Sequence, residues 1–245
     1  MCYNGNRNFF KKVIFLAERI YTIPVNEIFE EKDGCSICRL RDILEDRSLE
    51  YILGPAMMES DIRIETNKMG FCKEHFFMMA SRRSRLPLAL MIETHLDEVK
   101  KNIKNKKYRP DKSEIKSGNV EKKSCYVCDR IEWSKQRMYA TIAKLYSEEM
   151  SFRELFRQQP QICFNHYREL MAFAAPKVSS KWKREFEKDV DSITMRTLEE
   201  IRDDVHHFTK MFDYRNAGEN ADFGNSRDSI ERAIKYMTTR MPGEK

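Results

Sequence analysis

Eight residues of this chain have the types and spacing of metal ligands. Cys35-Ser-Ile-Cys38 is followed by Cys72-Lys-Glu-His75, and the same construction recurs as Cys125-Tyr-Val-Cys128 and Cys163-Phe-Asn-His166. Between the pairs lie 33 residues in the first copy and 34 in the second, and the two copies use six of the seven cysteines and two of the five histidines. Three thiolates and one imidazole suit a tetrahedral Zn²⁺, which is soft enough for sulfur and has no geometric preference of its own. Four protein ligands close the coordination sphere, so the expected role is structural, with two zinc ions per chain. The same eight residues would also serve a crossed pairing, but duplication makes two self-contained sites the more economical expectation: Cys35, Cys38, Cys72 and His75 in one, Cys125, Cys128, Cys163 and His166 in the other.

Other chemistries fit less well. Iron is an alternative ion for the same donors. Disulfides belong to export compartments; here the apolar run Val13–Ala17 is too short for a signal segment, and no stretch reaches a membrane span, so the chain is expected in the cytoplasm with reduced thiols. Arg39 and Asp129 follow the cysteine pairs where haem attachment needs histidine, and a thioredoxin-like pair lacks its βαβ setting. His206-His207 beside Asp203-Asp204, and His95 between Glu93 and Asp97, read as solvated helix faces; Trp133 and Trp182 read as packing residues. No glycine-rich phosphate loop or nucleophile elbow is present, so no catalytic residue is assigned.

The elements that hold these ligands read as all-α. Charged residues make up 34% of the 245 residues against only eight Gly and seven Pro, a balance that favours long helices with few breakers. A helix is expected from Cys38 to the Gly54-Pro55 break. Ile62 and Ile64 alternate as in a short strand, although one helical turn serves equally. Cys72 opens another helix, Pro87 sits in the first turn of a third with the stripe Leu88, Ile92, Leu96, Val99, Ile103, and Cys128 and Cys163 open two more. Trp182 to Phe212 keeps an apolar period for about 30 residues, roughly 45 Å. A last helix capped by Ser226 or Asp228 is expected to turn Ile230, Ile234 and Met237 inward. The reading is two tandem helical zinc-binding repeats: an N-terminal extension at 1–20, a first unit at 21–104, a basic linker at 105–123 and a second unit at 124–245 with the long C-terminal helix.

The net charge of +6 is local. Lys100 to Lys123 holds ten Lys or Arg against three Asp or Glu, a net of +7 that leaves the remainder near −1. A solvated linker explains such a segment; a strap for nucleic-acid phosphates is the sharper alternative.

Tyr-Thr-Ile-Pro-Val-Asn at 21–26, Cys-Ser-Ile-Cys-Arg-Leu at 35–40, Thr-Asn-Lys-Met-Gly-Phe-Cys-Lys-Glu-His at 66–75, Glu-Thr-His-Leu at 93–96, Cys-Tyr-Val-Cys-Asp-Arg-Ile at 125–131, Cys-Phe-Asn-His at 163–166 and Phe-Asp-Tyr-Arg at 212–215 resemble an uncharacterised bacterial family, a domain of unknown function. That resemblance implies the paired-site fold and no activity. It also implies that residues 1 to about 18 extend beyond the family's usual start. The expected role is a non-catalytic, zinc-stabilised binding or regulatory module, with a protein or nucleic-acid partner, no membrane, and homo-oligomerisation through the long helix as an option. Nucleic-acid binding through 100–123, and a metal-dependent enzyme or thiol redox sensor, are the alternatives.

Overall fold

The computed structural model describes residues 25–109, 125–212 and 222–239. The 1–20 extension, most of the basic linker and the Phe-Asp-Tyr-Arg loop after Phe212 lie outside them. Among the described residues the chain is all-α, with ten α-helices: α1 Val25–Glu30, α2 Ser36–Ile52, α3 Ser60–Met69, α4 Lys73–Ser81, α5 Arg85–Lys104, α6 Tyr126–Glu148, α7 Met150–Arg157, α8 Phe164–Glu169, α9 Lys183–Lys210 and α10 Ser229–Thr238. None of them is long and apolar enough to cross a membrane.

Two compact units emerge, Ile43–Ser134 and a discontinuous one formed by Met1–Asp42 with Lys135–Lys245. The division differs from the partition into 21–104 and 124–245 expected from the duplication. Its boundaries fall inside α2 and α6, because each of these helices runs well past the ligand pair at its start.

In the continuous unit, Leu49, Ile52, Leu53, Met79, Leu88, Met91, Tyr126, Val127 and Ile131 form one buried core. Residues 60–69 are helix, not strand: Ile64 is 66% exposed, and α3 packs along α5. Arg63 ties the two by donating to the Leu90 carbonyl and to Thr94 Oγ1, and Thr94 donates to Asn67 at 2.7 Å. The apolar stripe of α5 is only half used, with Leu88 buried but Leu96 and Ile103 exposed.

The discontinuous unit is built on an aromatic core of Phe29, Tyr146, Phe152, Phe156 and Phe186, whose ring centroids are 4.9–6.3 Å apart along the chain of contacts. Offset and edge-on rings at such distances add about 0.5–1.5 kcal/mol per pair beyond area burial. The long periodic stretch is α9, 28 residues, with Phe186, Val190, Ile193, Thr197 and Ile201 buried and Phe212 exposed. Helix α10 presents a different face from the one expected: Ile230 and Met237 are exposed, and Tyr236 is buried, its hydroxyl donating to the Thr194 carbonyl at 3.2 Å. A shift of one residue on a helix turns the face by about 100°, which is all the difference requires.

Candidate metal centres

All eight sequence-assigned residues assemble, but not in the expected sets. Cys35, Cys38, Cys163 and His166 form one cluster, and Cys72, His75, Cys125 and Cys128 the other; within each, the ligand atoms lie within 4.8 Å of one another. Each Cys-x-x-Cys therefore joins the Cys-x-x-His of the opposite copy, a correction to the self-contained pairing. Within the continuous unit the contacts that hold the Cys72–His75 turn are its own: His75 Nε2 bonds Glu45 at 3.0 Å, and the Gly70 carbonyl accepts from the Tyr126 amide beside Cys125.

Every pair sits at a helix N-terminus. The carbonyls of Cys35, Cys72, Cys125 and Cys163 accept from the amides of Arg39, Phe76, Asp129 and Tyr167 at 2.8–3.2 Å, so each of the four cysteines closes the first turn of a helix. The aligned amides there favour thiolates. Two backbone contacts bring the turns together. Cys35, beside the positive-φ Gly34, forms an isolated parallel bridge with Gln161, two residues before Cys163. In the other unit, Gly70, two residues before Cys72, accepts from the Tyr126 amide at 3.0 Å.

The donor spacing suits one ion in each cluster. With bonds of about 2.3 Å to sulfur and 2.0–2.1 Å to nitrogen, a tetrahedral zinc has sulfur–sulfur edges of about 3.8 Å and sulfur–nitrogen edges of about 3.5 Å. Cys38 and Cys163 sulfurs are 3.7 Å apart and those of Cys72 and Cys128 4.0 Å. The His166 Nδ1 distances to Cys35, Cys38 and Cys163 are 3.6, 3.3 and 3.1 Å, and those of His75 Nδ1 to Cys72, Cys125 and Cys128 are 3.1, 3.2 and 3.5 Å. A disulfide needs about 2.05 Å, and the six described cysteines are free.

Without an ion the thiols divide their charge unevenly. Hydrogen bonding from Cys163 and Cys38 holds Cys35 well below the ordinary thiol value, and bonding from Cys128 holds Cys125 down at about 3. The neighbours move the other way: Cys163 is pushed up to about 12 by its bond to Cys35, Cys38 rises by its bonds to Cys163 and Cys35, Cys128 rises by its bond to Cys125, and burial raises Cys72. One thiolate per cluster is stable, and a second or third needs a cation.

His75 follows the same logic. Burial opposes its cation, but the bonds to Cys125 and Glu45 outweigh burial and raise it to about 9. Between pH 9 and pH 3, Cys125 alone of its cluster lacks a proton to be displaced, so zinc entry there releases three. Zinc affinity at this site is expected to fall about 1,000-fold per unit of acidification near neutrality. Chelator competition at two pH values one unit apart measures it. In the metal-free protein the sign of the His75 contribution is opposite: it is complete below the ordinary 6.5 and is lost as pH rises through about 9.

Glu45 escaped the sequence reading. Its side chain is 4% exposed, and it bonds the outer nitrogen of a ligand histidine, the arrangement that fixes the tautomer with Nδ1 free for metal. The available signal was a carboxylate beside Leu44 on the apolar face of α2. Glu45→Gln is expected to weaken zinc at the Cys72 cluster by 10–100-fold, roughly, and leave the Cys35 cluster unchanged, as read by stepwise chelator competition.

The residues set aside as surface fall less uniformly. His206 and His207 are exposed as expected, with His207 bonding the Asp222 carbonyl. His95 is half-buried and bonds the Asn67 carbonyl at 2.7 Å, where it covers Gly70. Trp133 is 42% exposed under the Arg130 guanidinium, so it is not core, whereas Trp182 stacks against Arg153 at 4.0 Å.

Comparison with curated proteins and with solved structures gives no match for this chain. Residues 16–244, which include both clusters and every described helix, match a family of unknown function, DUF6062, and the chain belongs to that family.

Proposed function

We propose that this is a non-catalytic protein stabilised by two structural zinc ions, acting as a binding or regulatory module in the cytoplasm. The observation that carries it is the pair of Cys₃His clusters, each with four donors at tetrahedral spacing. Four protein donors leave no position for substrate, and each ion fastens the starts of two helices, α2 with α8 and α4 with α6. The zinc would supply folding free energy there and fix the thiolates. Metal analysis by mass spectrometry of the purified protein tests it: two zinc ions per chain are expected, and one or none, or iron in their place, overturns the reading.

A further inference from the structure

The two clusters differ on the far side of their histidines. Glu45 lies ten residues after Cys35, and the residue ten after Cys125 is Lys135. In the continuous unit that register places a carboxylate on His75 Nε2. In the discontinuous unit it places an ammonium, which cannot accept a proton from a histidine ring. Lys135 is 6% exposed and is turned onto Glu169, 2.9 and 3.0 Å from its two oxygens, and Glu169 also takes the Tyr139 hydroxyl. His166 is 2% exposed, and its only hydrogen-bond partners among the described residues are the three thiols at Nδ1. Its Nε2 has none.

That histidine is a wall of a cleft of about 600 Å³, shared with Arg41, Lys135, Arg168, Glu169 and Phe173. The volume falls in the range of small-molecule sites, about 300–1,000 Å³. Arg41, Arg168 and the Lys135–Glu169 pair bring charged groups to its lining. The cleft is also lined by the π-helical turn Leu170–Ala174 that follows α8, a local departure from the α-helix that recurs at functional sites. Lys135 is buried while Glu169 keeps 27% of its side chain exposed, so the pair stands at the edge of the cleft with the carboxylate reaching solvent.

From these observations we infer that the His166 cleft binds a small organic oxyanion, a carboxylate or a phosphate, which accepts from His166 Nε2 as Glu45 does from His75 and pairs with Arg41 and Arg168. Guanidinium groups match both oxyanions in a planar fork, and the Phe173 ring offers an apolar wall for the remainder of the ligand. This inference rests on the zinc reading, because zinc on Nδ1 is what holds the proton on Nε2.

The test uses the full-length protein labelled with ¹⁵N-histidine, its metal content measured first, and titrated separately with inorganic phosphate and with succinate. Long-range ¹H–¹⁵N spectra should show a saturable shift at His166 Nε2 with His75 unmoved. Arg168→Gln, an exposed position, and Arg41→Gln should each weaken binding about tenfold or more with zinc content unchanged. A response to phosphate alone assigns a phosphate ligand, a response to succinate alone a carboxylate, and either supports the site. A two-zinc protein that gives no His166 shift up to about 10 mM of both anions overturns this inference and leaves the zinc reading standing. Equal shifts at both histidines, or binding unaffected by the two arginine variants, also overturn it as general attraction to a basic protein. A protein without zinc overturns both.

Discussion

Replacing Cys35 and Cys163 together by serine is expected to remove one zinc ion and leave the other, whereas replacing Cys35 and Cys72 together removes both. Self-contained copies would give the reverse. The difference follows from the crossed clusters, in which Cys35 and Cys163 stand together and Cys72 belongs to the other. A structural zinc contributes about 10–16 kcal/mol in small peptides, as much as the whole stability of a typical domain, so each loss should be conspicuous. Metal counting by native mass spectrometry reads the stoichiometry. Hydrogen exchange reads the place: the first variant should lose protection in residues 25–42, 135–212 and 222–239 and keep it in 43–109 and 125–134. One zinc retained by the Cys35/Cys72 variant, with none retained by the Cys35/Cys163 variant, would sink the crossed arrangement.

Gly70→Ala should destabilise the protein by about 2–6 kcal/mol. Two costs add. Gly70 ends α3 with φ +67°, a conformation that costs a residue with a side chain about 1–3 kcal/mol. An added Cβ would also lie 2.6 Å from His95 Cε1 and 2.7 Å from Nε2, and that ring cannot swing away without leaving the Asn67 carbonyl. Overpacking of this kind costs about 1–3 kcal/mol more. The damage reaches the metal, because the Gly70 carbonyl takes the Tyr126 amide beside Cys125. Urea unfolding of Gly70→Ala, of His95→Ala and of the double variant separates the two costs: the double variant should recover the steric part and keep the backbone part. Full additivity would show that the ring does not press on Gly70.

The sequence was most legible where a physical rule acts over a few residues. The x-x spacing within each ligand pair, and the opening of a helix at each, follow from what one helical turn can present, and all eight residues do meet at a centre. Gly54-Pro55 ends α2 and Pro160 follows α7, as expected of residues that cannot continue a helix. The sequence was less decisive where two periods, or two faces of one helix, compete over a short span. Ile62 and Ile64 fit a strand or a helical turn equally, and the packing of α3 on α5 chose the helix. On α10, Ile230 and Met237 outranked Tyr236 in apolarity, but the Thr194 carbonyl on α9 gave the tyrosine hydroxyl a partner inside. The stripe on α5 predicted burial along its length, and the core reaches only its first turns.

By itself the amino-acid sequence determined the four Cys- and His-bearing pairs and the helical class, because each depends on side-chain chemistry and local spacing. Which pairs come together was decided only by tertiary structure. Duplication makes either pairing equally satisfied in donors, and the choice falls to tertiary contacts: the Cys72–His75 turn is held by Gly70 on the Tyr126 amide and by His75 on Glu45. The same geometry delivered Glu45 to His75 and Lys135 to the His166 cleft, two roles that no local pattern around either residue contains.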